Sequence, residues 1–561
     1  MVTVTPTANR LPDLRVLVIA FVAFASVYVL FLDPWGHDLW FHLHRLQDIE
    51  TQMAGGQLRA NLSLTDANGK APPVFVYYSQ WAYWPPLLVR QLGATPLIAL
   101  KLVFCLFLML SVAGFYMLVR LHVDNTRAAF GTLLYATSNY VIGDIFVRSA
   151  YPEFLSYSLL PLFLLALHRA LLEADRLAEM SLVILASLMI LFHPLSFMNV
   201  GLAVLAYGWF ARDGHRISVG RFARTAAFLA LAMGLTSFFW LPAVIETKYV
   251  LGTAGTPIDI RDTFVPIWRY LNFSSVVSLG LVLTLTSVVV TAWLALSSFG
   301  KRVTGNKPVW PLVAGVAVYV FLTLPYSREL WLSLPFLAAN NFVWRLLFPL
   351  TVLLVVLVTL KMTMLPTRLQ RADVLRLIGC VAVVQAMGFI FWHTWSDLSM
   401  RRLSTQEIVA SLAEGDAKTS GWGIDEYRPN PRAVRRQVEP CGEVERVKPP
   451  RGEDVIFAVD AGSADKCFHV ERFWNVRYAA SVGGWETPVY ANDEGEIVIV
   501  PGGHTGQALI HFSQPEYVKY STQLSAVAAL FLLVVSTTFW KGLATVKSKP
   551  VAAPTERPQA H

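Results

Sequence analysis

The chain has 561 residues, of which 55% are hydrophobic and only 15% charged, with a mean hydropathy of +0.49. Its apolar residues fall in long runs rather than at amphipathic spacing, which excludes an ordinary water-soluble domain and describes a polytopic membrane protein. The formal charge of +8 and pI near 9.2 reflect Lys and Arg gathered at alternate helix ends, so nucleic-acid binding is not expected.

Leu14 to Leu32 is an apolar run of about 19 residues, spanning length at a rise of ~1.5 Å per residue, and is expected as a retained first membrane helix. Directly after it, Asp33 to Arg45 reads Asp-Pro-Trp-Gly-His-Asp-Leu-Trp-Phe-His-Leu-His-Arg. A helix end at a bilayer surface needs no such density of ionisable groups. Leu39, Leu43, Leu46, Ile49 and Met53 then recur at helical spacing up to Gly55-Gly56, which predicts an amphipathic helix lying on the membrane surface. On such a helix Asp38, His42 and Arg45 share one face, a carboxylate beside an imidazole and a guanidinium. That face suits a general base with a phosphate or a metal nearby, although a polar face wetted by water and headgroups explains the spacing too. An aromatic run, Phe75 to Trp84 before Pro85-Pro86, predicts that this long first loop, 33–95, is docked.

Further spanning runs are expected at Leu97 to Val119, Ala128 to Val147, Phe154 to Leu172, Met180 to Phe192, Leu195 to Phe210, Phe222 to Leu241, Phe273 to Leu296, Pro311 to Leu324, Phe342 to Leu360, Val374 to Phe391 and Leu524 to Phe539. With the first, that is roughly 12 helices. A cytoplasmic N-terminus puts Arg120, Arg127, Arg169, Arg176, Arg212 and Lys541 inside, as the positive-inside rule requires. It puts the Asp33 to Arg45 cluster outside, together with the turn Gly143-Asp144-Ile-Phe-Val-Arg148-Ser-Ala-Tyr151-Pro152-Glu153. Glu153 after Pro152 serves equally as a charge satisfying a helix N-terminus. His193-Pro194 breaks an apolar stretch at an outer turn, where a capping or packing role is the usual one for His. Arg345, at the start of the tenth run, needs either a protein carboxylate or a ligand phosphate at that depth. Glu246, Arg261, Asp262 and Glu329 are expected to be solvated.

The segment 393–522 reads as a periplasmic α/β or β-rich domain with strands at Asp454 to Val459, Phe468 to Ala479, Glu496 to Val500 and Gln507 to Phe512, tethered by a final helix over 523–541 and a disordered tail over 542–561. Residues 1–392 are the transmembrane domain. Cys441 and Cys467 both fall in the external segment, where an oxidising compartment permits a disulfide. There is no Ser/His/Asp arrangement at motif spacing, no zinc-protease helix motif and no Walker loop, which argues against proteolysis and soluble-nucleotide chemistry.

An Asp just after the first helix, a long first external loop, an acidic second turn and a C-terminal external domain together resemble the GT-C superfamily of lipid-phosphate-dependent glycosyltransferases. Asp38-Leu-Trp-Phe41-His42, Tyr77 to Pro86, Arg148-Ser-Ala-Tyr151-Pro152-Glu153, Phe342-Val-Trp344-Arg345, Glu426-Tyr-Arg-Pro429 and Gly495 to His504 are similar to the YfhO-like bacterial membrane proteins labelled as related to 6-pyruvoyl-tetrahydropterin synthase. The resemblance implies a GT-C-like helical membrane protein of the bacterial inner membrane, with both termini cytoplasmic and its active site periplasmic. It implies transfer of a sugar, with inversion, from a polyprenyl-phosphate donor to an envelope glycan, lipid or protein acceptor. Asp38 is then the general base, and Glu153, or less readily Asp144, orients the acceptor. His42, Arg45, Arg148, His193 and Arg345 line the substrate site, Arg148, His193 and Arg345 on the donor phosphate; a divalent cation, Mg or Mn, would lie between Asp38 and Glu153. The alternatives are a transporter or flippase of lipid-linked glycans, which intramembrane charges and broken helices also build, and a non-catalytic envelope assembly factor.

Overall fold

The computed structural model describes residues 38–64, 69–136, 138–212, 217–251, 260–264, 309–340, 342–361, 427–433, 443–449 and 452–547. The expected helices at Leu14 to Leu32, Phe273 to Leu296 and Val374 to Phe391 lie outside the described residues, as do Asp33, His37, Cys380, Cys441 and the helical opening of the C-terminal segment.

The first described element is α1 (Leu39–Ala54), ended by Gly55 and by Gly56 at φ +88°, a left-handed backbone that glycine adopts without strain. Its apolar face is buried as the spacing predicts, but so are the polar His42, Arg45, Asp48 and Gln52. The expectation of a polar face wetted by water and headgroups is therefore corrected: that face is buried, and α1 is bonded to its own loop. Asp48 accepts from the Ser63 hydroxyl at 2.6 Å, and the Gln52 amide donates to the Leu62 carbonyl at 2.9 Å. These bonds meet the rule that buried polar groups are paired.

The helical bundle follows in α2 (Pro96–Arg120), α3 (Asn125–Ala136), α4 (Tyr151–Ser158), α5 (Leu160–Leu172), α6 (Arg176–Phe192), α7 (Pro194–Asn199), α8 (Gly201–Arg212), α9 (Val219–Leu235), α10 (Ser237–Glu246), α11 (Trp310–Thr323) and α12 (Leu347–Lys361). Among the described residues five helices are long and apolar enough to cross a membrane, or up to seven if each of two sharply bent pairs is one span. The expected continuous helix from Ala128 to Val147 is corrected: α3 ends at Ala136, a short helix covers Asn139–Gly143, and a wide π-helical turn takes Asp144–Arg148. The expected Phe222 to Leu241 run is bent by 69° between α9 and α10, and the Pro311 to Leu324 run turns through 83° into Pro325–Ser333.

The C-terminal module holds eight described strands in two four-stranded sheets: β1 (Val444–Val447), β3 (Cys467–Phe473), β7 (Glu496–Ile499) and β6 (Val489–Ala491) in that order, and β2 (Val455–Val459), β8 (Gly506–Phe512), β4 (Tyr478–Val482) and β5 (Trp485–Thr487). Among the described strands only the β1–β3 pair is parallel. The single strand expected over Phe468 to Ala479 is two, because the chain leaves one sheet at Trp474 and enters the other at Tyr478. One core fills both sheets and takes in Leu62 and Ala71 from the first loop. Cys467 is disulfide-bonded. α13 (Glu516–Lys547) follows β8 and packs against the bend between α9 and α10, where the Ser237 and Ser525 hydroxyls meet at 2.9 Å.

Glu246 is not solvated as expected. It is fully buried at the end of α10, where Arg477 of the C-terminal module bonds one of its oxygens through Nε at 2.8 Å and Tyr517 bonds the same oxygen at 3.0 Å. Arg261 and Glu329 are exposed. Lys70 of the first loop pairs with Glu496 at 2.6 Å, so module, loop and bundle close on one another at the end that carries Asp38.

Candidate functional site

The site forms where α1 begins, where the π-helical turn runs into α4, and where α12 is approached. The turn closes at Ser149, whose φ of +52° is unusual for a residue with a side chain. Such conformations persist where the surroundings over-determine them. The Ala150 N–H donates to the Asp144 carbonyl at 3.0 Å, and the Asp38 N–H donates to the Arg148 carbonyl at 2.8 Å. α1 thus starts directly on the turn, which seats the partly exposed Asp38 beside the acids and arginines that follow.

Glu153 stands in the first turn of α4 and is buried. Arg148 grips it with two bonds, Nη1 to Oε1 at 2.6 Å and Nη2 to Oε2 at 3.0 Å, and Arg345 adds Nε to Oε2 at 2.9 Å. Arg148 also bonds Asp144 Oδ1 at 2.9 Å, and the Tyr140 hydroxyl donates to Glu153 Oε1 at 3.0 Å. Two carboxylates and two guanidiniums balance formally, which offsets the cost of holding each charge out of water. The carboxylate required by the depth of Arg345 is therefore Glu153, from a turn far away in the chain. Arg345 donates in addition from Nη1 to the Asn340 carbonyl at 2.5 Å, and its own carbonyl accepts from the Tyr157 hydroxyl at 2.7 Å.

His42 sits behind this cluster. Its Nε2 accepts from the Tyr151 N–H at 3.3 Å, which assigns the ring proton to Nδ1, where it is donated to the Tyr83 hydroxyl at 2.8 Å. Burial, then the positive charges of Arg45 and Arg148, hold its pKa well below the usual imidazole range, so it is neutral at physiological pH. Arg45 is enclosed by aromatic faces, its guanidinium carbon 3.1 Å from the centre of the Phe41 ring and 3.8 Å from that of Tyr78. His193 accepts from the Ser196 N–H at 3.2 Å and caps α7, with burial and Arg345 lowering its pKa to about 3.

The structure accordingly brings Asp38, Arg148, Glu153 and Arg345 to one place, with Asp144 among them. It sets His42 and Arg45 one layer behind, in an aromatic box, and gives His193 a helix cap. Among the described residues no three His, Cys, Asp or Glu gather as a metal group. The oxygens of Glu153 already accept from two guanidiniums and a phenol, so this carboxylate does not fit a divalent cation as a ligand. Sequence reasoning passed over Tyr140, Tyr157, Asn199 and Asn340. The signal for Asn199 was a carboxamide inside an apolar run, where a polar group must find a partner.

A family model described as the 6-pyruvoyl-tetrahydropterin synthase related domain, a membrane protein, matches residues 75–401, more than half of the chain. Among curated proteins none matches by sequence. Two cryo-EM structures of arabinofuranosyltransferase AftD from Mycobacteria are similar at TM-score 0.45 and 15% identity over 67% of this chain. The chain spans about a quarter of their length, 27% and 26%. ArnT from Cupriavidus metallidurans, in a crystal structure bound to undecaprenyl phosphate, is similar at TM-score 0.41 and 12% identity over 86% of this chain and 97% of its own.

Proposed function

This chain belongs to the family of membrane proteins described as 6-pyruvoyl-tetrahydropterin synthase related, and we propose that it is a GT-C-type glycosyltransferase. In this reading it moves a sugar from a polyprenyl-phosphate donor to an envelope glycan, lipid or protein on the outer face of the membrane, with inversion. The observation that carries the reading is the seat of Asp38. A carboxylate with partial access to solvent is tied by its own backbone to the turn that holds Arg148 and Glu153. The oxygens of Glu153 already accept from two guanidiniums and a phenol, and Asp144 accepts from Arg148, so neither carboxylate is as open to an acceptor hydroxyl as Asp38.

The chemistry then divides among this chain's residues. Asp38 takes the proton from the acceptor hydroxyl as its oxygen attacks the anomeric carbon, and the sugar–phosphate bond breaks with its electron pair leaving on the phosphate. Arg345 and Arg148 face the charge that develops there, an electrostatic task for which fixed guanidiniums are suited. Glu153 sets the direction of both. His42, neutral and doubly bonded, holds α1 against Tyr151 and so fixes where Asp38 sits.

The test is a comparison of lipid-linked sugars by mass spectrometry between wild type and a strain lacking the gene, complemented with wild type or with Asp38→Asn. The reading expects a polyprenyl-phosphate sugar to accumulate without the protein, and to remain accumulated with Asp38→Asn although the variant reaches the membrane at normal levels. An unchanged lipid profile would sink it. A second reading, translocation of a lipid-linked glycan, is favoured by the two sharply bent helix pairs. It expects the same lipid to cross the bilayer chemically unaltered.

A further inference from the structure

We propose that Asn199 and Asn340 form an amide clamp that positions Arg345 for an anionic ligand. The inference rests on the reading that Arg345 faces a donor phosphate, and it names residues which that reading does not contain. The two side chains bond each other reciprocally: Asn199 Nδ2 donates to Asn340 Oδ1 at 2.9 Å, and Asn340 Nδ2 donates to Asn199 Oδ1 at 2.8 Å. Both are buried. Asn199 Nδ2 also donates to the Tyr157 hydroxyl at 2.9 Å, and that hydroxyl gives its own proton to the Arg345 carbonyl. The Asn340 carbonyl holds Arg345 Nη1.

The direction of the network follows from proton counting. A phenol has one proton, and Tyr157 spends it on Arg345, so Asn199 must present its NH2 and not its oxygen to Tyr157. Turning the Asn199 amide over would oblige Tyr157 to donate to it and leave the Arg345 carbonyl without that bond. The Asn199 backbone is itself fixed: its carbonyl accepts from the Tyr319 hydroxyl at 2.6 Å, which in turn accepts from the Ala203 N–H at 3.1 Å. The clamp therefore connects the break between α7 and α8, the segment before α12, α4 and α11. Arg345 is held at both ends, its backbone by Tyr157 and its guanidinium by Asn340, with Glu153 completing its orientation. In a low-dielectric interior each member depends on the others, because an amide that loses its partner pays for its own desolvation.

Asn199→Ala removes the clamp without touching Arg345, and two measurements read the result on the purified full chain in detergent. Binding of undecaprenyl phosphate should weaken by about tenfold in Asn199→Ala and in Arg345→Lys. The double variant should be no weaker than Arg345→Lys alone, since the clamp acts through Arg345. Additive losses, as from a general loss of stability, would overturn the positioning role. Hydrogen exchange of the segment around 342–347 needs no ligand and should quicken by about tenfold in Asn199→Ala; exchange at the wild-type rate would overturn the clamp itself. If undecaprenyl phosphate fails to bind wild type while exchange still quickens, the donor reading falls and the clamp stands.

Discussion

The backbone N–H of Asp38 donates to the backbone carbonyl of Arg148 at 2.8 Å, across more than a hundred residues of sequence. That bond owes nothing to either side chain, so Asp38→Asn keeps the seat of α1 and removes only the base. Sugar transfer by the variant, followed with a radiolabelled polyprenyl-phosphate sugar in membranes, should fall by about 10²- to 10⁴-fold. Its melting temperature in detergent should match wild type. Activity within a few-fold of wild type would assign the base elsewhere.

Glu153 is the shared partner of Arg148 and Arg345. Removing one member of a buried charge pair costs about 3–5 kcal/mol, because the other is left uncompensated. Glu153→Ala takes the carboxylate from Arg345 and leaves Arg148 with Asp144 alone, whereas Arg345→Ala strands no charge, since Glu153 keeps Arg148. Glu153→Ala should thus be the more destabilising of the two by thermal unfolding in detergent. The reverse order would show that the network is not a balanced unit.

Arg477 and Glu246 tie the C-terminal module to the end of α10, with their closest approach at 2.6 Å and almost no exposure of either side chain. Each single substitution to Ala should loosen the module by about 3–5 kcal/mol, while the double substitution to Met should recover much of it. Limited proteolysis between 433 and 515 reads this directly. Equal protection in all three variants would mean that the clasp contributes nothing to docking.

His42 and His193 are held neutral by burial, with His193 at a pKa of about 3. In the unfolded chain both titrate near 6.5, so below that value the unfolded state binds more protons than the folded one. The stability they contribute is present above pH ~6.5 and is lost as pH falls below it. Melting temperature should decline from pH 7 to pH 5, and the decline should be shallower in His42→Gln. An identical slope would mean that His42 titrates normally in the fold.

Much of the architecture was legible before the fold. The apolar runs located α2, α4 with α5, α6, α7 with α8, and α13, because hydrocarbon demands continuous apolar length and internally bonded backbone. Leu39, Leu43, Leu46 and Ile49 placed α1 within a residue. The form of the break after Ala136 and the wide turn at Asp144–Arg148 were not legible: Thr137-Ser138-Asn139 and Asp144 interrupt the apolar run from Ala128 to Val147, but the shape of the interruption depends on what the turn touches. Glu246 misled for a similar reason, since a lone Glu after an apolar run gives no sign of an arginine more than two hundred residues away.

The sequence by itself determined that the protein lives in a membrane, which residues bear its charges, and that Asp38, Arg148, Glu153 and Arg345 occupy helix ends. Composition and periodicity are local quantities, and they decide local questions. The partners of those charges were decided only by tertiary structure. That Glu153 takes both arginines, that Arg45 is sealed between Phe41 and Tyr78, and that two asparagines hold Arg345 are consequences of desolvation. A buried polar group must be satisfied by whatever the fold brings within about 3 Å, and no spacing along the chain records that distance.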